Sequence, residues 1–252
     1  MAQHFYDFNN YSAGAISSVA SGEFTVQATP GGDWTYEIVD LGGGDMAMRI
    51  SRTVTSYGVS IVRADDFEAA AGVDVEVYSE FTLGTTWNNN YFAGGFLTAL
   101  NNRGYGIRFS VDSGPDAFRL GYTQTDGANA ASIGTYYPMT NPTAGTVICT
   151  RIGCYDRSGT QMVRGKIWLK SDSEPGTWAW DAANSSLPDS LWPSVTAFYT
   201  GDSPYTIFAL GIGTAGDAAP TSGGGGSVPA TGLLRSTPAR PQGIGIYGLR
   251  TL

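Results

Sequence analysis

The stretch Val73-Asp74-Val75-Glu76-Val77-Tyr78-Ser79-Glu80-Phe81-Thr82-Leu83 alternates in character with a period of two. Val73, Val75, Val77, Phe81 and Leu83 fall on one face, and Asp74, Glu76, Tyr78 and Glu80 fall on the other. That spacing predicts a strand buried on one side only, with Asp74, Glu76 and Glu80 forming a solvated acidic row. The same period recurs downstream. Tyr105, Ile107, Phe109 and Val111 alternate with Gly106, Arg108, Ser110 and Asp112; after the turn Ser113-Gly114-Pro115-Asp116, Phe118, Leu120 and Tyr122 alternate with Arg119, Gly121 and Thr123. Two such runs around a Gly-Pro turn make a β-hairpin. Val147 to Tyr155 and Met162 to Lys170 form a second hairpin across Asp156-Arg157-Ser158-Gly159.

Tyr91 to Leu100 is apolar at both parities, which predicts burial on both faces or a bulge around Gly94-Gly95. Further strands are expected at His4 to Phe8, Phe24 to Ala28, Trp34 to Val39, Met46 to Arg52, Tyr57 to Arg63, Val195 to Tyr199, Tyr205 to Ile212 and Gly243 to Leu249. A Gly and Ser loop follows the first of them, and Asp65 to Ala71 forms a single helical turn. So many short strands with one apolar side require two antiparallel sheets packed face to face, an all-β sandwich.

Composition agrees. The chain has 252 residues, 35 of them glycine, with 14% charged and 12% aromatic residues, which favours a turn-rich β-protein over a helical bundle or a disordered chain. A sandwich of this length is commonly one domain, here residues 1–252. The formal net charge of −8 and the scattering of the 14 Lys and Arg residues argue against a nucleic-acid partner. No apolar stretch is long enough to span a bilayer, so no membrane insertion is expected. Met1 to Phe8 lacks a charged and then apolar leader, and synthesis in a cytoplasm is the expectation.

Cys149 and Cys154 lie five apart in one strand, so they point to opposite faces and are read as two small buried residues, not a disulfide. His4 is the only histidine and stands on an edge or terminal strand, which argues against a zinc site and a serine triad. Asp112 and Asp116 flank a hairpin turn; turn chemistry explains them with fewer assumptions than a shared calcium ion. No metal and no cofactor is expected. Thr214 to Pro241 is dominated by Gly, Ala, Ser, Thr and Pro and contains Gly223 to Gly226. Lacking a following Lys and Ser or Thr, that run is not a phosphate loop, and the segment reads as a mobile loop or an arm ordered against a partner.

With the strands in place, the chain resembles the concanavalin A-like lectin and glucanase jelly roll, in its laminin-G-like form. An aromatic first strand, Phe5-Tyr6-Asp7-Phe8, stands opposite a last strand, Ile244-Gly245-Ile246-Tyr247-Gly248-Leu249, and in that family the termini pair in one sheet. The hairpin Tyr105-Gly106-Ile107-Arg108-Phe109 and Phe118-Arg119-Leu120-Gly121-Tyr122 looks like the ligand-presenting ribbon of such domains. The run Arg164-Gly165-Lys166-Ile167-Trp168, then Glu174-Pro175-Gly176-Thr177-Trp178, is similar to laminin-G-like modules of bacteriophage tail and other virion proteins, and Ala209-Leu210-Gly211-Ile212-Gly213-Thr214 resembles their late strand. The resemblance implies a virion module on the tail, a fibre or the capsid surface, assembled in the host cytoplasm.

Glucanases of this fold carry Glu-x-Asp-x-Glu on one strand, and the matching frame is Glu76-Val77-Tyr78-Ser79-Glu80, with tyrosine where the central aspartate belongs. Carboxylates four residues apart on a strand have Cα atoms roughly 13 Å apart, whereas a retaining pair needs carboxyl groups about 5 Å apart. Catalysis is therefore not expected. Sugars are held by aromatic rings stacking on C–H faces while amides and carboxylates take the hydroxyls. Trp87-Asn88-Asn89-Asn90-Tyr91 offers both kinds of group; Tyr136-Tyr137, and Trp178 with Trp180 on one face of an extended segment, are further candidates. Trp168 shares its face with Arg164, Lys166 and Lys170, an unusual place for a core residue. For each of these, packing beneath a neighbouring loop or subunit is the plainer reading. The expectation is a non-enzymatic virion structural protein, a homo-oligomer touching other virion proteins. A glycan-binding adhesin for host surface polysaccharide is the alternative, and a glycoside hydrolase using Glu76 and Glu80 the distant one.

Overall fold

The computed structural model describes residues 2–28, 34–53, 59–64, 67, 74–82, 93–98, 106–111, 117–124, 129–132, 137–138, 145–183, 192–198 and 204–221. In chain order the elements are β1 (Ala2–Asp7), a 3-10 turn (Phe8–Asn10), β2 (Gly14–Ala15), α1 (Ile16–Val19), β3 (Phe24–Ala28), β4 (Trp34–Asp40), β5 (Met46–Arg52) and β6 (Val59–Ala64). There follow β7 (Val75–Thr82), β8 (Ala93–Thr98), β9 (Gly106–Val111), β10 (Ala117–Gln124), β11 (Asn129–Ser132) and β12 (Tyr137–Pro138). The series ends with β13 (Val147–Arg157), β14 (Thr160–Leu169), β15 (Trp180–Ala183), β16 (Trp192–Phe198) and β17 (Tyr205–Thr214).

These strands form an all-β antiparallel sandwich. Among the described residues one nine-stranded sheet runs β15-β14-β13-β7-β17-β5-β4-β2, with β1 also paired to β17; an eight-stranded sheet runs β11-β10-β9-β8-β16-β6-β3, with β12 paired to β10. Between them lies a core in which Val75, Val77, Phe81, Ile148, Ile152, Leu210 and Ile212 of the first sheet meet Phe24, Val62, Ala64 and Val195 of the second. One aromatic pair spans it, Tyr6 sitting 4.7 Å from Phe24 of the other sheet, while Phe81 stacks 5.5 Å from Tyr205 on the neighbouring strand of its own sheet. Ser79 occupies an inward position of β7, where its hydroxyl meets that of Thr150 at 2.7 Å, so two fully buried polar groups satisfy each other.

Both predicted hairpins form. β9 and β10 pair with Val111 opposite Phe118 and Ile107 opposite Tyr122. In the β13–β14 hairpin Arg157 faces Thr160, leaving the two-residue turn Ser158-Gly159 with both φ positive (54° and 81°), the mirror-image turn that matches strand twist. The bulge at Gly94-Gly95 is present as well: Val195 pairs with Gly95 and Thr196 with Ala93, which leaves Gly94 as the extra residue.

Two expectations change, and the expected pairing of the two termini falls outside the described residues. The Gly and Ser loop after the first strand contains the single turn α1, which buries Ile16. The described partner of β1 is β17, Ala2 facing Thr214 and Asp7 facing Ala209, while residues 244–249 lie outside the described residues. Most consequentially, β7 is buried on both faces throughout Val75 to Phe81. Asp65 to Ala71 falls outside the described residues except for Phe67, which packs against the core. Since Phe81 is fully buried at the centre of this core, Phe81→Ala is expected to cost about 3–5 kcal/mol, measurable as a lower midpoint in urea unfolding.

Candidate functional site

Register fixes what meets on the outer face of the nine-stranded sheet. Across β7, β13 and β14 the outward rows are Glu76, Gly153 and Arg164; then Tyr78, Arg151 and Lys166; then Glu80, Cys149 and Trp168. Opposite charges thus lie on neighbouring strands and on neighbouring rows. Glu76 is only 3% exposed and Arg151 6%. Its carboxylate accepts from Arg151 Nη1 at 2.5 Å, from Arg164 Nη2 at 2.8 Å and from the backbone N–H of Ala219 at 3.0 Å. Arg151 also donates through Nε and Nη2 to the two oxygens of Glu174, at 2.8 and 3.0 Å, and through Nη1 to Ala219 O at 2.6 Å. A planar guanidinium can fill so many acceptors at once; an ammonium cannot.

The second tier is built around Lys166. Its ammonium contacts Glu174 at 2.6 Å, donates to Pro175 O at 2.9 Å and lies 4.8 Å from the centre of the Trp178 ring. Arg164 stacks 4.3 Å from the same ring and 4.8 Å from Tyr155. Below them Tyr78, Cys149 and Trp168 form a small apolar cluster with Ala219, the Tyr78 and Trp168 rings 5.9 Å apart. Tyr78 donates to Glu80, which also holds Lys170 at 2.5 Å.

Covering these tiers is a strap. After β17 the chain turns at Ala215-Gly216 and returns over its own strand, with Gln3 Nε2 donating to Ala218 O at 2.8 Å. Gly211 and Gly213 make room for it. A Cβ at Gly211 would lie 2.0 Å from Pro220 O, and one at Gly213 would lie 2.2 Å from Asp217 O.

Electrostatics follow from this burial. Burial opposes the charge on Arg151, but its hydrogen bonds to Glu174 and the charge of Glu76 outweigh it and raise its pKa further. Burial likewise pushes the Glu174 carboxyl upward, yet bonds from Arg151 and Lys166 hold it below its ordinary value. The Cys149 thiol is pushed up to about 11, chiefly by burial, so it stays protonated and non-nucleophilic at neutral pH. Burial also raises Tyr78, aided by its bonds to Cys149 and Glu80.

The predicted site residues separate. Trp168 takes the outer face beside Arg164 and Lys166, beneath Ala219 of the chain's own strap. Trp178 and Trp180 do not share a face. Ala179 N–H closes on Gly165 O at 3.0 Å, so the strand starts only after Trp178; Trp180 pairs with Gly165 and is buried in the inner core. Trp180 is therefore removed from the surface candidates. Tyr137 lies in β12 opposite Phe118. Trp87, Asn88, Asn89, Asn90, Tyr91 and Tyr136 lie outside the described residues. Glu76 and Glu80, expected as a solvated row, are 3% and 5% exposed and paired with cations: Arg151, Arg164 and the strap close over Glu76, and Tyr78 and Lys170 meet Glu80. Thr214 ends β17, and 215–221 pack on the chain's own sheet, so the head of the expected arm is ordered in cis.

Sequence reading missed Arg151, Glu174 and the strap. The available signals were the outward parity of Arg151 with Cys149 and the pair Gly211-x-Gly213, whose missing side chains leave a path for backbone.

No family model and no curated protein matches the chain. Among solved structures it is similar to a protein of unknown function from Shewanella oneidensis MR-1, at 14% identity and a TM-score of 0.56 over 84% of this chain and 85% of that one. Lectin UEA-II complexed with galactose is similar at 10% identity and a TM-score of 0.53, over 84% of this chain and 98% of the lectin. Peanut lectin with a 9mer peptide is similar at 11% and 0.51, over 88% and 99%. These likenesses establish the lectin-like sandwich fold.

Two outcomes follow from the network. Glu76→Gln leaves the buried Arg151 and the partly exposed Arg164 short of a charged partner and is expected to cost about 3 kcal/mol in urea unfolding. Because the Glu174 carboxyl is held low in the folded chain, its contribution is complete above about 4.5 and fades as pH falls through the lower folded value. Glu174→Gln should therefore flatten the loss of melting temperature on acidification below that point.

Proposed function

We propose that this chain is a non-catalytic glycan-binding module. The observation that carries the reading is its sharing of a sandwich with a lectin complexed with galactose, over 84% of this chain and 98% of the lectin. Support against catalysis comes from the acidic strand. Glu76 and Glu80 each lie against cations and accept hydrogen bonds, so neither is poised as a proton donor or a nucleophile. With the outer face of β7, β13, β14 and β17 occupied by ion pairs and strap, the sugar is taken elsewhere on the module. The sequence Trp87-Asn88-Asn89-Asn90-Tyr91 supplies the stacking rings and amides for it.

A virion setting is the second reading, favoured by one observation. The run that carries the resemblance to phage modules folds as a unit: Lys166 touches Glu174, Pro175 and Trp178, and Trp168 packs beneath on the same face. In that setting the chain is a tail, fibre or capsid-surface component that forms a homo-oligomer, meets other virion proteins and presents its loops to host polysaccharide.

The test is binding of the purified chain to immobilised bacterial surface polysaccharides and galactose-containing glycans. Wild type should be retained, Trp87→Ala should weaken retention by on the order of tenfold or more with an unchanged melting temperature, and no reducing ends should appear. Absence of retention on every glycan would remove the reading; reducing ends abolished by Glu76→Gln would replace it with hydrolysis.

A further inference from the structure

Residues 217–220 are held as a peptide ligand is held. Both backbone groups of Ala219 are engaged, its N–H by Glu76 and its carbonyl by Arg151, while Ala218 O accepts from Gln3. The groove floor is Gly211 and Gly213, where any side chain would collide with the strap backbone. Ala219 itself is buried against Tyr78, Cys149 and Trp168. Recognition is thus of backbone amides and one small side chain, on a surface that is preformed by β1, β7, β13 and β17.

The link into this groove is less comfortable than the seat. Ala215 has φ of 57° and Gly216 has φ of 89°, so a residue with a Cβ adopts the left-handed region at the reversal. The reversal is held by Ala215 N–H to Asp74 O at 2.8 Å and by a long Asp217 N–H to Thr214 O contact of 3.3 Å. Short strained hinges favour exchange of the segment they carry, since every contact in the seat is the same whichever copy supplies the strap.

We infer that the strap is exchangeable: Asp217-Ala218-Ala219-Pro220 of one chain seats on Gly211, Gly213, Glu76 and Arg151 of a second copy, and the two copies are joined through it. Straightening at Ala215 releases the left-handed conformation, and the partner's Glu76, Arg151 and Gln3 supply the hydrogen bonds of the seat. The inference is independent of whether the chain binds a sugar.

Cross-linking between marked copies tests it. Full-length chains carrying Gln3→Cys and Ala218→Cys, each with a different tag, are co-expressed and treated with a short bismaleimide; the native Cys149 and Cys154 are buried. Exchange gives a covalent pair bearing both tags, and adding Ala215→Gly to both copies lowers its yield several-fold because the reversal in cis is relieved. A single chain with both cysteines must cross-link internally. If it does and the mixed copies yield no covalent pair, the strap is seated in cis alone and the inference falls. Equal yields of Gln3→Cys homodimers would mark random collision and would overturn it too, as would failure of the double variant to react.

Discussion

A carboxylate removed from water must be matched on every lone pair, and Glu76 organises the outer half of this molecule around that requirement. Two guanidinium groups and one backbone amide converge on it, each from a different part of the chain: β13, β14 and the strap. Breaking any one strands charge in a site 3% exposed. The position of the strap, the path of the loop carrying Glu174 and the stacking of Arg164 on aromatic rings are all consequences of satisfying this group and its partner Arg151.

The arrangement changes what the sheet is available for. An open sheet face with carboxylates four residues apart invites comparison with glycosidases, and the sequence contains such a frame. In the folded chain the same residues hold cations and hydrogen bonds, and a layer of backbone lies above Gly211 and Gly213. The face has become a second interior with its own small apolar cluster of Tyr78, Cys149, Trp168 and Ala219. At identities of 10–14% to the lectins and the bacterial protein, the scaffold is what is shared.

Much of the fold was legible because strand alternation is a local signal. Val75, Val77 and Phe81 face the core as their spacing says, the β9–β10 and β13–β14 hairpins have the expected order, and Gly94 is the bulge residue its surroundings suggest. The opposite faces of Cys149 and Cys154 follow from parity alone, and the former joins the outer cluster while the latter joins the core. Parity failed for Trp178 and Trp180 because the chain between them is not extended; Ala179 closes on Gly165 and the strand begins one residue later.

By itself, then, the sequence determined that the chain is a sandwich and which side of each long strand faces inward, since a period of two is written in consecutive residues. Only the tertiary structure decided whether an outward side meets water. The partners of Glu76 come from positions 75, 88 and 143 residues away, and the glycines that admit the strap show their purpose only once Asp217 and Pro220 lie above them. Burial of the outward face is a property of what the chain places on top of it, and no local pattern encodes that.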